Sequence, residues 1–421
     1  MNNIISISGM PVSGKSTTIN KIIETLMKKG YESNQIHLVS TGQEFRYYFN
    51  FVIELIKNPN KMNDVIEKYN APKIKELLNN SNFRKSLIRT IIAIRQNGYD
   101  LQNFTIEQAN NLEYFKDLRY IIDTLIDSNI ADLGKKLEEE NIAEKEKLEK
   151  ERKTKNNDEF DSKKDTENKK RENFWIIDSR LAFNNIPNSF SVRLVIDEDI
   201  AAKRLLKDNK RGKEDNKYKN EKEAKKAIIN RKNGEVKRYL ERYNVDLEDL
   251  DNYDLVIDTS YANVEDIANT ILDCHENYKK NKYFGKMWTS PKKLLPLQIE
   301  RATVARGNFF NMDEMIESIN DYGYLVNEEI EVVEVDGKMY IIEGHHRNFG
   351  AALAGKTIVP YMVLAKDDEI VKGYGNITAR EKIFGCDSKV LKGHEWMLGD
   401  KFSYTQIYPN IYKELEQNDA R

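Results

Sequence analysis

The sequence predicts an α/β protein: a parallel sheet with helices on both faces, opened by a phosphate loop, closed by a helical lid, and followed by a smaller α+β module. Three observations predict it. Gly9-Met10-Pro11-Val12-Ser13-Gly14-Lys15-Ser16-Thr17 follows the apolar run Ile4–Ser8 and precedes the helix-like stretch Ile19–Lys28, which is a complete G-x-x-x-x-G-K-[ST] pattern between strand and helix. Apolar runs alternate with helical stretches through the first 280 residues, and several are continuous, as strands covered on both faces require. Beyond about residue 280 the texture changes to short strands around a Gly-rich centre.

The phosphate loop comes first because it fixes the chemistry. Its glycines let backbone N–H groups curl toward a phosphate, and the helix N-terminus adds partial positive charge. Gly9, Pro11, Val12, Ser13, Gly14, Lys15, Ser16 and Thr17 are the expected ATP-binding residues. Lys15 is placed to reach the β- and γ-phosphates, and the Ser16 hydroxyl to ligand Mg²⁺. The remaining strands of the first module are expected at Ile36–Ser40, Phe174–Asp178, Val192–Asp197 and Leu255–Asp258. Residues 44–135 lack strand signals and read as helices, with Phe51, Leu55 and Ile56, then Leu118, Ile121, Ile122 and Leu125, at helical spacing. Residues 135–172 are almost purely Lys, Glu, Asp and Asn and form a charged insertion, either a solvated helix or a disordered spacer. The zone 203–242 keeps Ala224, Ala227, Ile228, Val236 and Leu240 at helical intervals and reads as a lid of paired helices.

Transfer of a phosphoryl group between anions needs cations around it. Arg46 follows the second expected strand and Arg180 the third, beyond the carboxyl ends where open α/β sheets gather ligands. Arg231 and Arg238, with Arg211 upstream, lie in the lid. These residues resemble the archaeal-type cytidylate kinases of the nucleoside monophosphate kinase group over residues 1–275. The likeness lies in Ile5–Gly9 with the phosphate loop, Val39-Ser40-Thr41-Gly42 with Phe45-Arg46, and Asp178-Ser179-Arg180-Leu181-Ala182. It continues through Arg231, Glu235 and Lys237-Arg238-Tyr239 to Tyr253–Ser260. The resemblance implies transfer of the ATP γ-phosphate to CMP or dCMP. By the same resemblance, Lys15, Arg180, Arg231 and Arg238 are catalytic, while Thr41, Gly42, Arg46, Asp178 and Arg180 bind the acceptor. Met10-Pro11-Val12 is less glycine-rich than that family's loop.

In the second module Glu343-Gly344-His345-His346-Arg347 follows an expected strand, Met339–Ile342, and leads into a helix-like stretch at Asn348–Ala354. Strands are also expected at Ile330–Val335 and Ile358–Leu364. Trp288, Pro291 and Pro296 mark a linker. Residues 292–366 resemble the ParB/sulfiredoxin-like superfamily through this loop, with Pro296–Ile299, Arg306 and the helix-like Asp313–Tyr322 in the same layout. The resemblance implies nucleotide phosphate binding, with Glu343, His345, His346 and Arg347 as site residues. The loop lacks the cysteine that sulfiredoxin chemistry needs.

The organisation expected is therefore a phosphate-loop domain over 1–280, a ParB-like domain over 283–371 and an extension over 372–421. ATP, Mg²⁺ and a nucleoside monophosphate are the expected ligands, with a second nucleotide at the later module. The 67 basic and 69 acidic residues nearly cancel, so nucleic acid is not an expected partner. No apolar stretch has membrane-spanning length, Met1-Asn2-Asn3 leads straight into a strand, and Cys274 and Cys386 stand in no metal-type spacing. A cytoplasmic enzyme fits these features. The competing readings are a nucleotide-gated regulator that binds without transfer, and a ParB-like small-molecule kinase of the serine type with the phosphate-loop domain as its partner.

Overall fold

The computed structural model describes residues 3–69, 72–100, 112–154, 173–207, 218–296 and 312–385. They divide into two compact units, Met1–Ser6 with Gln35–Ser189, and Ile7–Asn34 with Phe190–Arg421. Strand β1 (Ile4–Gly9) runs from the first into the second and is buried along its whole length, as its uninterrupted apolar and small residues dictate.

In the first unit β2 (Ile36–Ser40) pairs in parallel with β3 (Phe174–Asp178), Ser40 opposite Asp178. The Trp175 N–H donates to the Asn3 carbonyl at 2.7 Å. Between β2 and β3 come α2 (Thr41–Lys57), α3 (Met62–Tyr69), α4 (Pro72–Asn79), α5 (Ser81–Gln96) and α6 (Glu113–Thr154). Ser40 caps α2 by accepting from the Gln43 N–H, and Asn80 caps α5 by accepting from Asn82 and Phe83, so polar residues start these helices where the chain has spare donors. Their apolar stripes meet in a separate helical core around Phe51, Phe83, Phe115 and Ile122. A second cluster ties α6 to the sheet: Ile130 and Leu137 pack with Ile4, Ile177, Ala182 and Ile186. The short α7 (Ala182–Asn185) follows β3.

In the second unit the end of β1 precedes α1 (Lys15–Lys28), and β4 (Phe190–Val195) pairs in parallel with β5 (Leu255–Asp258). Helices α8 (Glu198–Lys207) and α9 (Glu221–Tyr243) connect them, and α10 (Val264–Lys279) follows β5. Strand β6 (Met287–Thr289) lies parallel to β5 and antiparallel to β10 (Val359–Lys366). The order continues through β8 (Ile330–Val335) and β9 (Lys338–Glu343) to β7 (Leu294–Pro296). Helix α11 (Met312–Tyr322) and α12 (His345–Leu353) complete the unit.

Two expectations need correction. The strand expected at Val192–Asp197 starts and ends two residues earlier, because Phe190 is fully buried against His275, Tyr278 and Phe284. The segment marked by Trp288, Pro291 and Pro296 is no plain linker: β6 and β7 lie within it, and Trp288 is buried with its indole N–H on the Gly285 carbonyl. Hydrogen bonding therefore runs without interruption from β5 into the later strands. The later sheet is mixed, since β8 and β9 are antiparallel. In the charged insertion, where a solvated helix was one of the two expected readings, α6 continues as helix as far as Thr154; residues 155–172, like Arg211, Arg306, Cys386 and the rest of the extension after Gly385, lie outside the described residues. No helix among the described residues is long and apolar enough to cross a membrane.

Candidate active site

In the second unit the chain turns at Gly9 under a tight constraint. A Cβ there would lie 2.6 Å from Ser13 Oγ and 3.2 Å from the Leu194 carbonyl oxygen, so only hydrogen fits. Gly14, at φ 81, forms the N-cap of α1 and supplies no side-chain cap. The N–H groups of the first turn thus receive no acceptor from the cap residue, the arrangement on which helix N-termini bind phosphate. Lys15 is half-buried at the first helical position, and Ser16 and Thr17 are exposed beside it.

Val12 adopts φ 65, a left-handed conformation that costs a β-branched residue on the order of 1–3 kcal/mol. Its packing explains why it is kept. Val12 and Met10 join Ile196, Ala201, Ala202, Ala224 and Ile228 in one apolar cluster, so the non-glycine residues of the loop are the contact through which α8 and α9 rest on it. The loop is also held from β5. Thr259, fully buried, reaches the Ser13 carbonyl at 3.0 Å and the Val195 carbonyl at 3.1 Å. Arg204 of α8 donates to the carbonyls of Thr259 at 2.5 Å and Ser260 at 3.1 Å, and its Nη1 lies 4.0 Å from where a Gly14 Cβ would stand. Burial pulls the Arg204 guanidinium below its ordinary pKa, opposed by the nearby Asp258 carboxylate.

Arg231 and Arg238, the arginines expected in a lid, lie on α9. Arg231 Nε donates to Glu235 at 3.3 Å, one turn on, and the Arg238 guanidinium sits 5.1 Å from the Tyr239 ring centroid. A relay that starts from buried Arg193 reaches this helix from the sheet: Arg193 on β4 donates to Ser8 Oγ at 3.4 Å and to Glu248 at 3.0 Å, and Glu248, partly exposed, also pairs with Lys232 of α9 at 2.6 Å.

In the first unit the expected acceptor residues gather at the carboxyl ends of β2 and β3. Ser40 Oγ donates to Asp178 Oδ2 at 2.8 Å, and Thr41 Oγ1 donates to the Asp178 carbonyl at 3.1 Å. Gly42 and Arg46 are exposed in the first turns of α2. Arg180 is half-buried two residues beyond Asp178. The structure thus brings Thr41, Gly42, Arg46, Asp178 and Arg180 onto neighbouring strand ends, with buried Ser40 as an anchor that residue typing had left aside.

The later loop also differs in detail from its expectation. Helix α12 begins at His345, three residues before the expected Asn348, because Gly344 at φ 97 makes the turn that starts it. His345 is buried, His346 half-buried and Glu343 exposed. Arg347 donates to Glu328 at 2.7 Å, so its guanidinium already has a carboxylate partner. Asn348 Nδ2 donates to the Pro291 carbonyl at 3.3 Å. Arg204, Arg193, Thr259 and Lys293 are the site-supporting residues that sequence reasoning missed; an arginine or lysine in a chain so rich in them carries no signal of its own.

Comparison with known proteins adds an independent strand. Residues 65–261 match the model of the cytidylate kinase-like family, a span that begins after the phosphate loop and ends at Tyr261. A cytidylate kinase of Methanocaldococcus jannaschii is 51% identical over 57 residues, 14% of this chain and 32% of that protein. A cytidylate kinase of Methanosphaera stadtmanae is 43% identical over 56 residues, 13% of this chain and 32% of that protein. An S-adenosylmethionine-dependent nucleotide dehydratase of Lacinutrix mariniflava is 33% identical over 129 residues, 31% of this chain and 25% of that protein. The matches span about a third or less of each relative. The family match covers Asp178, Arg180, Arg231 and Arg238 but not Thr41, Gly42 or Arg46, and similarity to nucleotide kinases is what the comparisons establish.

Proposed function

We propose that the chain is an ATP-dependent nucleoside monophosphate kinase that transfers the γ-phosphate to CMP or dCMP. The observation that carries this reading is the coincidence of two unlike signals: a complete phosphate loop at Gly9–Thr17, and a cytidylate kinase-like match over residues 65–261 that does not include it. In this reading the loop N–H groups and Lys15 hold the donor phosphates. Arg46 and Arg180 bind the acceptor phosphate, and Thr41, Gly42 and Asp178 orient the rest of the nucleotide. Arg231 and Arg238 neutralise charge on the transferred group. The exposed Ser16 hydroxyl in the first turn of α1 suits an oxygen ligand of Mg²⁺, which when bound neutralises phosphate charge. The acceptor atom is an anionic oxygen of the monophosphate, already a nucleophile; it bonds to the γ-phosphorus as the bond to the β,γ-bridging oxygen breaks and ADP leaves, so positioning and charge neutralisation suffice without a dedicated base.

An ADP-release assay across the ribo- and deoxyribonucleoside monophosphates tests it. Turnover with CMP or dCMP, lost on Lys15→Ala, is the expected result. Turnover with AMP or UMP alone would remove the cytidylate assignment, and stable nucleotide binding without turnover would favour the nucleotide-gated regulator. That second reading draws on the apolar seating of Met10 and Val12 against α8 and α9, which ties loop conformation to lid position.

For the later module the proposal is that Glu343–Arg347 binds a nucleotide phosphate, with the uncapped start of α12 and Arg347 contacting the anion and His345 or His346 placed for proton transfer. Arg347 would exchange Glu328 for the phosphate. Calorimetric titration of Lys15→Ala and of Lys15→Ala/Arg347→Ala with ATP, ADP and CTP is the test, with the first site silenced in both. Binding by the first protein and loss in the second is expected; equal affinity in both, or none, removes the assignment.

A further inference from the structure

Lys293 does not belong to the phosphate loop or to the lid, yet its ammonium enters the network that holds the loop. It is the last residue of a single 3₁₀ turn, Pro291–Lys293, between β6 and β7. Its Nζ lies 3.1 Å from both oxygens of Asp197, just beyond β4, and 2.5 Å from Asp258 Oδ2 at the end of β5. Asp258 is nearly fully committed: Oδ2 also accepts from Thr289 Oγ1 at 3.2 Å, and Oδ1 from the Ser260 N–H at 2.9 Å and its hydroxyl at 2.5 Å. Asp197's own N–H donates to Ser260 Oγ at 2.9 Å. Ser260 and its neighbour Thr259 are the carbonyls that Arg204 grips, and Thr259 holds the Ser13 carbonyl of the phosphate loop.

The other end of this chain of contacts is the later module. The turn that carries Lys293 is held by α12 through Asn348 and Pro291. The helix that starts at the Glu343–Arg347 loop and the loop that starts α1 are therefore connected, among the described residues, by named hydrogen bonds and the Lys293 ion pairs. Breaking such a link is costly in a specific way. Two carboxylates, Asp258 with a side chain only 10% exposed and Asp197, would lose the ammonium that bridges them, leaving the Arg204 guanidinium near Asp258 but no cation between the two. Their repulsion would displace the Asp258–Ser260 corner, and their less compensated charge would stand beside a loop built to take a triphosphate.

We propose that Lys293, supplied by the segment that opens the later module, is a positioning residue for the phosphate loop, so that nucleotide affinity at Gly9–Thr17 depends on that module being docked. The inference rests on the phosphate loop binding nucleotide, as proposed above. The test is calorimetric titration of the full chain with ADP and Mg²⁺. Wild type is compared with Lys293→Met, Lys293→Arg, Thr259→Val, Lys15→Ala, and Lys286→Met, which breaks an exposed pair with Asp251. Lys293→Met is expected to weaken binding about tenfold, and Thr259→Val by a factor of about three to ten. Lys293→Arg should stay within about twofold of wild type, and Lys286→Met should not change. In turnover, Lys293→Met and Thr259→Val should raise KM for ATP while leaving KM for the monophosphate within about twofold, a split that general loss of structure does not produce. If Lys293→Met does not fold at the assay temperature, Thr259→Val decides the matter, since it removes one hydroxyl and no charge. Wild-type affinity in both Lys293→Met and Thr259→Val, with binding lost in Lys15→Ala, overturns this inference and leaves the proposed function standing. No binding by the wild type overturns both.

Discussion

Two glycines in helices offer a matched test of the packing that carries the acceptor-side strand ends. Gly134 lies in α6, and a Cβ built on it would stand 2.4 Å from the Asn185 carbonyl oxygen and 3.2 Å from Ile186 Cγ1. Gly234 lies in α9, and nothing comes within 4 Å of the same position. Gly→Ala in an exposed helix interior stabilises by about 0.8–1 kcal/mol, because the alanine backbone has less freedom to lose. Gly234→Ala should show that gain in full. At Gly134 the same gain is opposed by a backbone oxygen that cannot rotate away, so α6 or the Asn185 turn must shift by most of an ångström; overpacking of this kind costs roughly 1–3 kcal/mol. A net loss of about 1–2 kcal/mol is the expected balance. The shift falls where Ile130 and Leu137 of α6 hold Ile177 and Ala182 on either side of Asp178 and Arg180, so KM for the monophosphate should rise more than KM for ATP. Urea unfolding followed by far-UV circular dichroism measures the first effect, and steady-state kinetics the second. A Gly134→Ala protein as stable as Gly234→Ala would refute the reasoning, for it would mean that the α6–α7 contact is loose.

Three further outcomes are expected. Gly9→Ala should weaken ATP binding at least tenfold in a titration, and Gly9→Ala/Ser13→Gly should recover part of it, because Ser13 Oγ is the nearest atom in the way. Asp178→Ala leaves Ser40 Oγ without its acceptor at 2.8 Å and should cost about 1–3 kcal/mol in thermal or urea unfolding, whereas Ser40→Ala should weaken the α2 cap by about 1 kcal/mol. For Lys293, burial disfavours the ammonium but the Asp258 and Asp197 carboxylates outweigh it and leave the pKa above the ordinary lysine value; a raised folded-state pKa means stability that is complete below about pH 10.4 and lost as pH rises through the folded value. The melting temperature of wild type should therefore fall relative to Lys293→Arg as pH rises above about 10.4, and the two should run parallel from about pH 6 to 9.

Much of the molecule was legible from periodicity and punctuation. The continuous runs at Ile36–Ser40, Phe174–Asp178 and Leu255–Asp258 form strands at those bounds; burial on both faces explains the last two, while Ile36–Ser40 keeps Leu38 exposed. The phosphate loop was legible since its glycines answer local demands: Gly9 meets Ser13 and Leu194, and Gly14 turns into α1. What stayed hidden depends on distant partners. Met287–Thr289 is too short for an alternation to show, and becomes a strand only because β5 and β10 flank it. Arg204 and Lys293 are two of 67 basic residues, and nothing in their neighbours along the chain says that one will find Thr259 and the other Asp258. The early start of α12 at His345 needed the left-handed turn at Gly344, which the sequence permits but does not require.

Transfer itself is the most direct test of the central claim. ATP labelled at the γ-phosphate, incubated with the full chain, Mg²⁺ and CMP or dCMP, is separated by chromatography from the nucleoside diphosphate formed. The account predicts label in CDP or dCDP over many turnovers, with Lys15→Ala reducing the rate by orders of magnitude while its circular dichroism spectrum and melting temperature stay those of wild type. Label that remains in ATP or appears only as inorganic phosphate, with CMP and dCMP unchanged, would contradict it.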